Sequence, residues 1–162
     1  MLLLGLATAP AQAADPPRVP ALSKVQSDYV LACGGCHGEN GVSNARLVPD
    51  LAGVVGHFLS TQDGREYLVR LPNVATATLD DAALSDVLNF MVWTIGGRSA
   101  PEGAARFTAA EVSALRKRPL NDASLRKRRE AIVDTLIATH GAPTALREYS
   151  TTNPGQITPL PN

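Results

Sequence analysis

Cys33-Gly34-Gly35-Cys36-His37 gathers two thiols and an imidazole into five consecutive residues. Four chemistries use those groups. A disulfide between Cys33 and Cys36 would close a loop too short to staple much of the chain. A redox dithiol belongs in the strand-to-helix turn of a βαβ unit, whereas the residues ahead of Cys33 are patterned as a helix. Structural zinc asks for four ligands, and the remaining histidines, His57 and His140, stand far apart with no matching spacing. Covalent haem attachment uses all three groups at once: each thiol adds to one vinyl group of the porphyrin, and the adjacent imidazole ligates the iron.

The start of the chain favours the last of these. "MLLLGLATAPAQAADPP" has a short apolar run, a proline, and small residues at Ala11-Gln12-Ala13 that suit signal peptidase. Residues 1–13 are therefore expected to be a signal peptide, without the usual positive charge ahead of the apolar run, and the mature chain to begin near Ala14. Export would place a bacterial protein in the periplasm. No other apolar run approaches the roughly 20 residues that cross a bilayer, so no transmembrane segment is expected. In an exported chain the attachment motif predicts one covalent haem c held by Cys33 and Cys36, with His37 as the proximal iron ligand.

Composition agrees. The 162 residues include only three Phe, three Tyr and one Trp, so a buried macrocycle would supply the bulk that side chains do not, as metals and disulfides do in other small domains. Formal net charge is zero and gives no reason to expect nucleic acid. The charge is nevertheless uneven. Residues 33–95 hold three basic and seven acidic groups, net −4, while residues 116–129 hold seven basic and one acidic, net +6.

The elements that must position the motif are helical. Leu22, Val25, Tyr29 and Ala32 fall at helical spacing behind Pro20 and deliver Cys33. The Gly- and Asn-rich stretch from His37 to Gly56 reads as irregular chain along a haem edge, with a short helix after it around Tyr67 and Leu68. The clearest helix has Thr78 as expected N-cap, Leu84, Val87, Leu88, Met91 and Ile95 on one face, and Gly96-Gly97 as its stop. Thr108 with Glu111 suggests another capping box, and a final helix carries Leu125, Ile132, Val133, Leu136 and Ile137 between a cap at Asn121 and a stop at Gly141.

Over residues 20–96 the chain resembles the class I, mono-haem c-type cytochromes. The carriers of the likeness are "CGGCHG" at Cys33–Gly38, "PDLAG" at Pro49–Gly53 and the closing helix from Thr78 to Ile95. The resemblance implies an all-α, cytochrome c-like fold around one haem. It also implies that Pro49 offers its carbonyl to the free N–H of His37, and that the first and closing helices cross with Tyr29 against Phe90 or Trp93. The chain departs from the family in "LPNVATATLDD", where members carry a methionine as sixth ligand and this sequence has none. Candidate distal ligands are then His57 and Met91, with Asn73 or water as weaker options; a helical Met is also good core filler.

The domain plan is a haem c domain at 14–97, a helical extension at 98–140 and a flexible tail at 141–162. Arg116, Lys117, Arg118, Arg126, Lys127, Arg128 and Arg129 read as a solvated helix face, a docking patch for an acidic redox partner or a contact for anionic lipid. The resemblance implies an electron carrier rather than an enzyme, passing single electrons in a respiratory chain from a periplasmic dehydrogenase to another cytochrome or an oxidase. The alternatives are a haem enzyme or small-ligand sensor with an open sixth position, and a fixed haem subunit of a larger oxidoreductase gripped by residues 98–162.

Overall fold

The computed structural model describes residues 21–43 and 48–148; the expected signal peptide at 1–13 lies outside the described residues. Among the described residues seven α-helices run in the order α1 (Lys24–Tyr29), α2 (Gly35–His37), α3 (Gln62–Arg70), α4 (Pro72–Ala75), α5 (Asp81–Phe90), α6 (Ala109–Arg116) and α7 (Leu125–His140), with no strand. The all-α fold expected from the sequence is the one found. No helix of the described residues is long and apolar enough to cross a membrane.

Local chemistry explains most helix ends. α1 begins one residue after Ser23, whose hydroxyl accepts from the Gln26 N–H while the Gln26 side chain accepts from the Ser23 N–H. This reciprocal cap places the start later than Pro20 and leaves Leu22 outside the helix, exposed. α5 starts behind Asp80 rather than Thr78: Asp80 is extended and its carboxylate accepts from the Ala83 N–H at 2.7 Å. α7 starts behind Ser124 rather than Asn121, and ends as expected at Gly141, left-handed at φ 67°. Thr108 caps α6, but the Glu111 carboxylate turns to Arg65 instead of closing the box.

α1 crosses α5, and Tyr29 meets Phe90 with ring centroids 5.6 Å apart, tilted by 58°. Both helices pass into a π-helical turn: α1 into Val30–Gly34, which carries Cys33, and α5 into Met91–Ile95. Such turns insert one extra residue and so re-aim the side chains beyond them.

One continuous core joins the front of the chain to residues 98–148. Phe107, Val112, Leu115, Ile132, Val133, Leu136 and Leu146 are buried in the same cluster as Tyr29, Phe58, Leu68 and Val92. Polar contacts lock the seam. Asn89 donates its side-chain amide to the Phe107 carbonyl and accepts the Phe107 N–H, at 2.9 and 2.8 Å. Ser99 Oγ accepts the Gly56 N–H at 2.9 Å, and a Cβ at Gly56 would come within 2.3 Å of the Ala100 nitrogen, so only glycine lets the two stretches of chain pass. Of the expected tail at 141–162, residues 141–148 lie within the described residues. Thr144–Arg147 forms a 3-10 turn whose Leu146 is 1% exposed, because its side chain completes the core beside α7.

The basic cluster does not form a continuous patch. Arg129 is buried; Arg116 points inward to the chain at Ala75–Asp81; and Arg128 pairs with Asp63. Lys117, Arg118, Arg126 and Lys127 remain exposed.

Candidate functional site

Cys33 and His37 stand on one wall of a cavity of about 470 Å³, the size range of cofactor pockets. Its lining is mostly apolar, with Val55, Phe58, Leu68, Leu71 and Met91 among the contributors. Both cysteines are free thiols, Cys33 half-buried and Cys36 exposed. Burial, and secondarily the neighbouring Cys36, pushes the Cys33 thiol up to about 11. A thiol so placed is protonated at neutral pH, the opposite of the activated thiolate that a redox dithiol needs.

The imidazole is fixed by backbone. His37 Nδ1 lies 3.1 Å from the Pro49 carbonyl oxygen. A carbonyl only accepts, so Nδ1 carries the hydrogen and the neutral ring keeps its lone pair on Nε2, the form that ligates a metal. Burial lowers the His37 pKa against the opposing influence of Pro49 and Asp50, which favours that neutral form. The Pro49 carbonyl is itself held, since Ser43 Oγ donates to it at 2.9 Å and the Ser43 N–H donates to Asp50 Oδ1 at 2.7 Å. On the other side of the motif Tyr29 Oη donates to the Gly38 carbonyl at 3.0 Å. Gly38 is left-handed at φ 70°, and a Cβ there would meet the Val42 oxygen at 2.3 Å, so the chain leaves His37 by a route only glycine permits.

Comparison with known proteins adds the family. The chain is 31% identical to a cytochrome c-552 of Thermus thermophilus, over 62% of this chain and 80% of that one. It is 32% identical to a second cytochrome c-552 from Thermus thermophilus, over 54% and 81%. The chain belongs to the c-type cytochromes. No family model and no solved structure matches it. Membership makes the cytochrome a haem c protein and an electron carrier, and the cavity fits that cofactor: a flat apolar macrocycle asks for an apolar slot, and this one has the Cys33 thiol and the neutral His37 imidazole at its wall, with Cys36 exposed beside them.

The cytochrome's distal candidates separate. Met91 is 8% exposed and lines the cavity, as do Asn73, Leu71 and Val74 from the stretch where a family methionine was expected. His57, in the 3-10 turn Val55–Ser60, is not part of the lining, whereas its neighbour Phe58 is; burial lowers the His57 pKa. Sequence reasoning missed Asp50, Ser43 and the two arginines of α7 that reach the cavity, Arg126 and Arg129. A signal for Arg129 was present: Leu125, Arg129, Ile132 and Leu136 succeed one another at helical spacing, so the arginine lies on the apolar stripe rather than opposite it.

Proposed function

We propose that this is a class I cytochrome with one haem c bound covalently through Cys33 and Cys36, exported to the periplasm after removal of residues 1–13, and moving single electrons from a dehydrogenase to another cytochrome or an oxidase. The observation that carries the reading is the His37 Nδ1 contact with the Pro49 carbonyl at the wall of an apolar cavity that also holds Cys33. Haem, when bound, supplies an iron that cycles between two oxidation states. The protein holds the ring, keeps His37 in the ligating tautomer and excludes water with Val55, Phe58 and Leu68. Cys36 is exposed, which puts the haem edge beside it in reach of a partner. Of the two distal candidates only Met91 is among the cavity's lining residues, and its thioether would be the second protein group to hold the iron.

A second reading is favoured by one observation. The stretch from Leu71 to Asp80 presents Leu71, Asn73 and Val74 to the cavity and no strong ligand, so an iron left with an open or weakly held sixth position would bind small molecules. The visible spectrum of the ferrous protein before and after carbon monoxide separates the two. Electron transfer with Met91 as ligand predicts no prompt change in the wild type or in His57→Ala, and prompt binding in Met91→Leu. Binding in the wild type would overturn that assignment and move the function toward small-molecule chemistry.

A further inference from the structure

We infer that Arg116 is a positioning residue for the cavity wall at Leu71–Asp80: reaching across from α6, it holds that wall closed and so sets how fast an outside ligand reaches the iron. The inference rests on the reading that haem c occupies the cavity with His37 as its fixed ligand. A flat macrocycle ligated from one side leaves the iron's other face to be covered by the protein. Leu71, Asn73 and Val74 line the cavity and bring no strong ligand to it, so this wall can shield the iron but cannot bind it firmly.

The second half of the wall has no helix to hold it. α4 ends at Ala75 and α5 starts only at Asp81, so the carbonyls between them lie beyond the helical ladders. Arg116 takes three of these carbonyls: Nε donates to Ala75 at 2.9 Å, Nη1 to Leu79 at 2.8 Å and Nη2 to Ala77 at 2.5 Å, and Nη1 also reaches Asp81 Oδ1 at 3.1 Å. A planar guanidinium carries its donors in a fixed fork, and so can gather acceptors spread along a loop. The other end of the wall is held from the same side. The Leu120 N–H donates to the Arg70 carbonyl at 2.8 Å, and Arg70 Nε donates to the Arg118 carbonyl at 2.7 Å. The anchor is firm, because Val112 and Leu115 of α6 are buried in the core. Both ends of the wall therefore hang on residues 116–120, outside the segment that carries the attachment motif. Opening the wall costs the Arg116 bonds, and a ligand too large to slip past it enters in proportion to the open population.

The experiment times imidazole binding to the ferric holoprotein by stopped-flow absorbance, with Met91→Leu present throughout so that Met91 does not compete for the iron. Haem per chain is counted first, in the wild type and in each variant. Adding Arg116→Ala is expected to speed binding roughly tenfold, the ratio that about 1.4 kcal/mol of easier opening produces. Arg116→Lys keeps the charge but loses the fork, and should fall between the two. Arg65→Ala loosens the seam elsewhere, at Glu111, Ala105 and Arg106, and should leave the rate near that of Met91→Leu alone. An unchanged rate with Arg116→Ala, or imidazole binding to none of the variants, overturns the inference. Equal acceleration by Arg65→Ala also overturns it, since the effect would then be general loosening. If Arg116→Ala does not accumulate, an unchanged rate with Arg116→Lys decides against it in the same way. A wild type without haem overturns it together with the reading beneath it, whereas haem-loaded proteins whose rates ignore Arg116 overturn it alone.

Discussion

Residues 33–95 and residues 116–129 differ in sign, net −4 against net +6, and differ further in what their polar groups do. In the first region the groups around the motif are bound locally: Ser43, Asp50 and Pro49 form a short relay that fixes His37, and Tyr29 ties down Gly38. In the second region the cations work at long range. Arg116 donates to the carbonyls of Ala75, Ala77 and Leu79 and to Asp81, and Arg128 pairs with Asp63. The first region answers with its own arginines, since Arg65 grips Glu111 and Arg70 Nε donates to the Arg118 carbonyl at 2.7 Å. Two of the seven cations at 116–129, Arg116 and Arg128, thus pair with carboxylates of the first region, Asp81 and Asp63, and belong to the seam rather than to a free surface. A basic run becomes a candidate partner surface only after its bonds within the chain are subtracted.

Breaking that seam should have its largest effect at Arg65. Nε and Nη2 donate to the two Glu111 carboxylate oxygens at 2.6 and 2.7 Å, Nη1 donates to the Ala105 carbonyl at 2.7 Å, and the guanidinium lies 4.2 Å from the Phe107 ring centroid. The pair is mostly shielded, with side chains 13% and 26% exposed. Arg65→Ala should destabilise the holoprotein by about 3 kcal/mol, at the lower end for breaking a buried pair because Glu111 keeps some solvent. Arg65→Lys should recover less than half, having lost the planar fork. The check is the midpoint of denaturant unfolding. A loss under about 1 kcal/mol would mean that apolar burial of Phe107, Val112 and Leu115 holds the extension without the ion pair.

The same contrast explains what the sequence could and could not disclose. The c-type cytochrome family was within reach because the Cys33–His37 motif is confined to five residues, and the Pro49 contact and the Tyr29–Phe90 crossing were reachable through the family pattern. Helix existence was readable from apolar spacing, while the caps at Asp80 and Ser124 were misplaced because several polar residues compete for each cap and backbone geometry chooses among them. Arg129 and Arg116 were read as surface charge because a guanidinium enters a protein only when distant carbonyls or anions receive it, and those partners lie far away in sequence. Leu146 looked like part of a loose tail for a similar reason: one apolar residue in a Pro- and Thr-rich stretch shows no periodicity, and only the gap beside α7 gives it a place.

A smaller effect is expected at Arg116, and it should be local. Its guanidinium takes three backbone carbonyls between Ala75 and Leu79, at 2.5 to 2.9 Å, and so shapes the chain that leads from the cavity wall at Val74 into α5. Arg116→Ala should cost about 2 kcal/mol, since the freed carbonyls are partly open to water. Amide hydrogen exchange should rise at Thr76 and Ala77, whose N–H groups donate to Pro72 and Val74, and stay unchanged around His37. Exchange that rises at both places would show that the extension supports the motif as well as this segment, and the division between local and long-range polar work would then fail.

The smallest effect concerns acid. Asp81 is held below its ordinary carboxylate range, first by a hydrogen bond from Ser113 and then by Arg116, both on α6. A carboxyl whose folded-state pKa is depressed contributes stability above its unfolded value, near 4, and loses that contribution as pH falls through the lower folded value. The thermal midpoint of the wild type should therefore exceed that of Asp81→Asn at pH 6, and the two curves should converge as the pH falls through the lowered folded-state value. Asp81 is partly exposed, so solvent screens the pair and the gap at pH 6 should be slight and should shrink with added salt. A gap that persists unchanged into acid would show that Asp81 acts through its shape at the start of α5 and not through its charge, removing one of the ion pairs on which the contrast between the two regions rests.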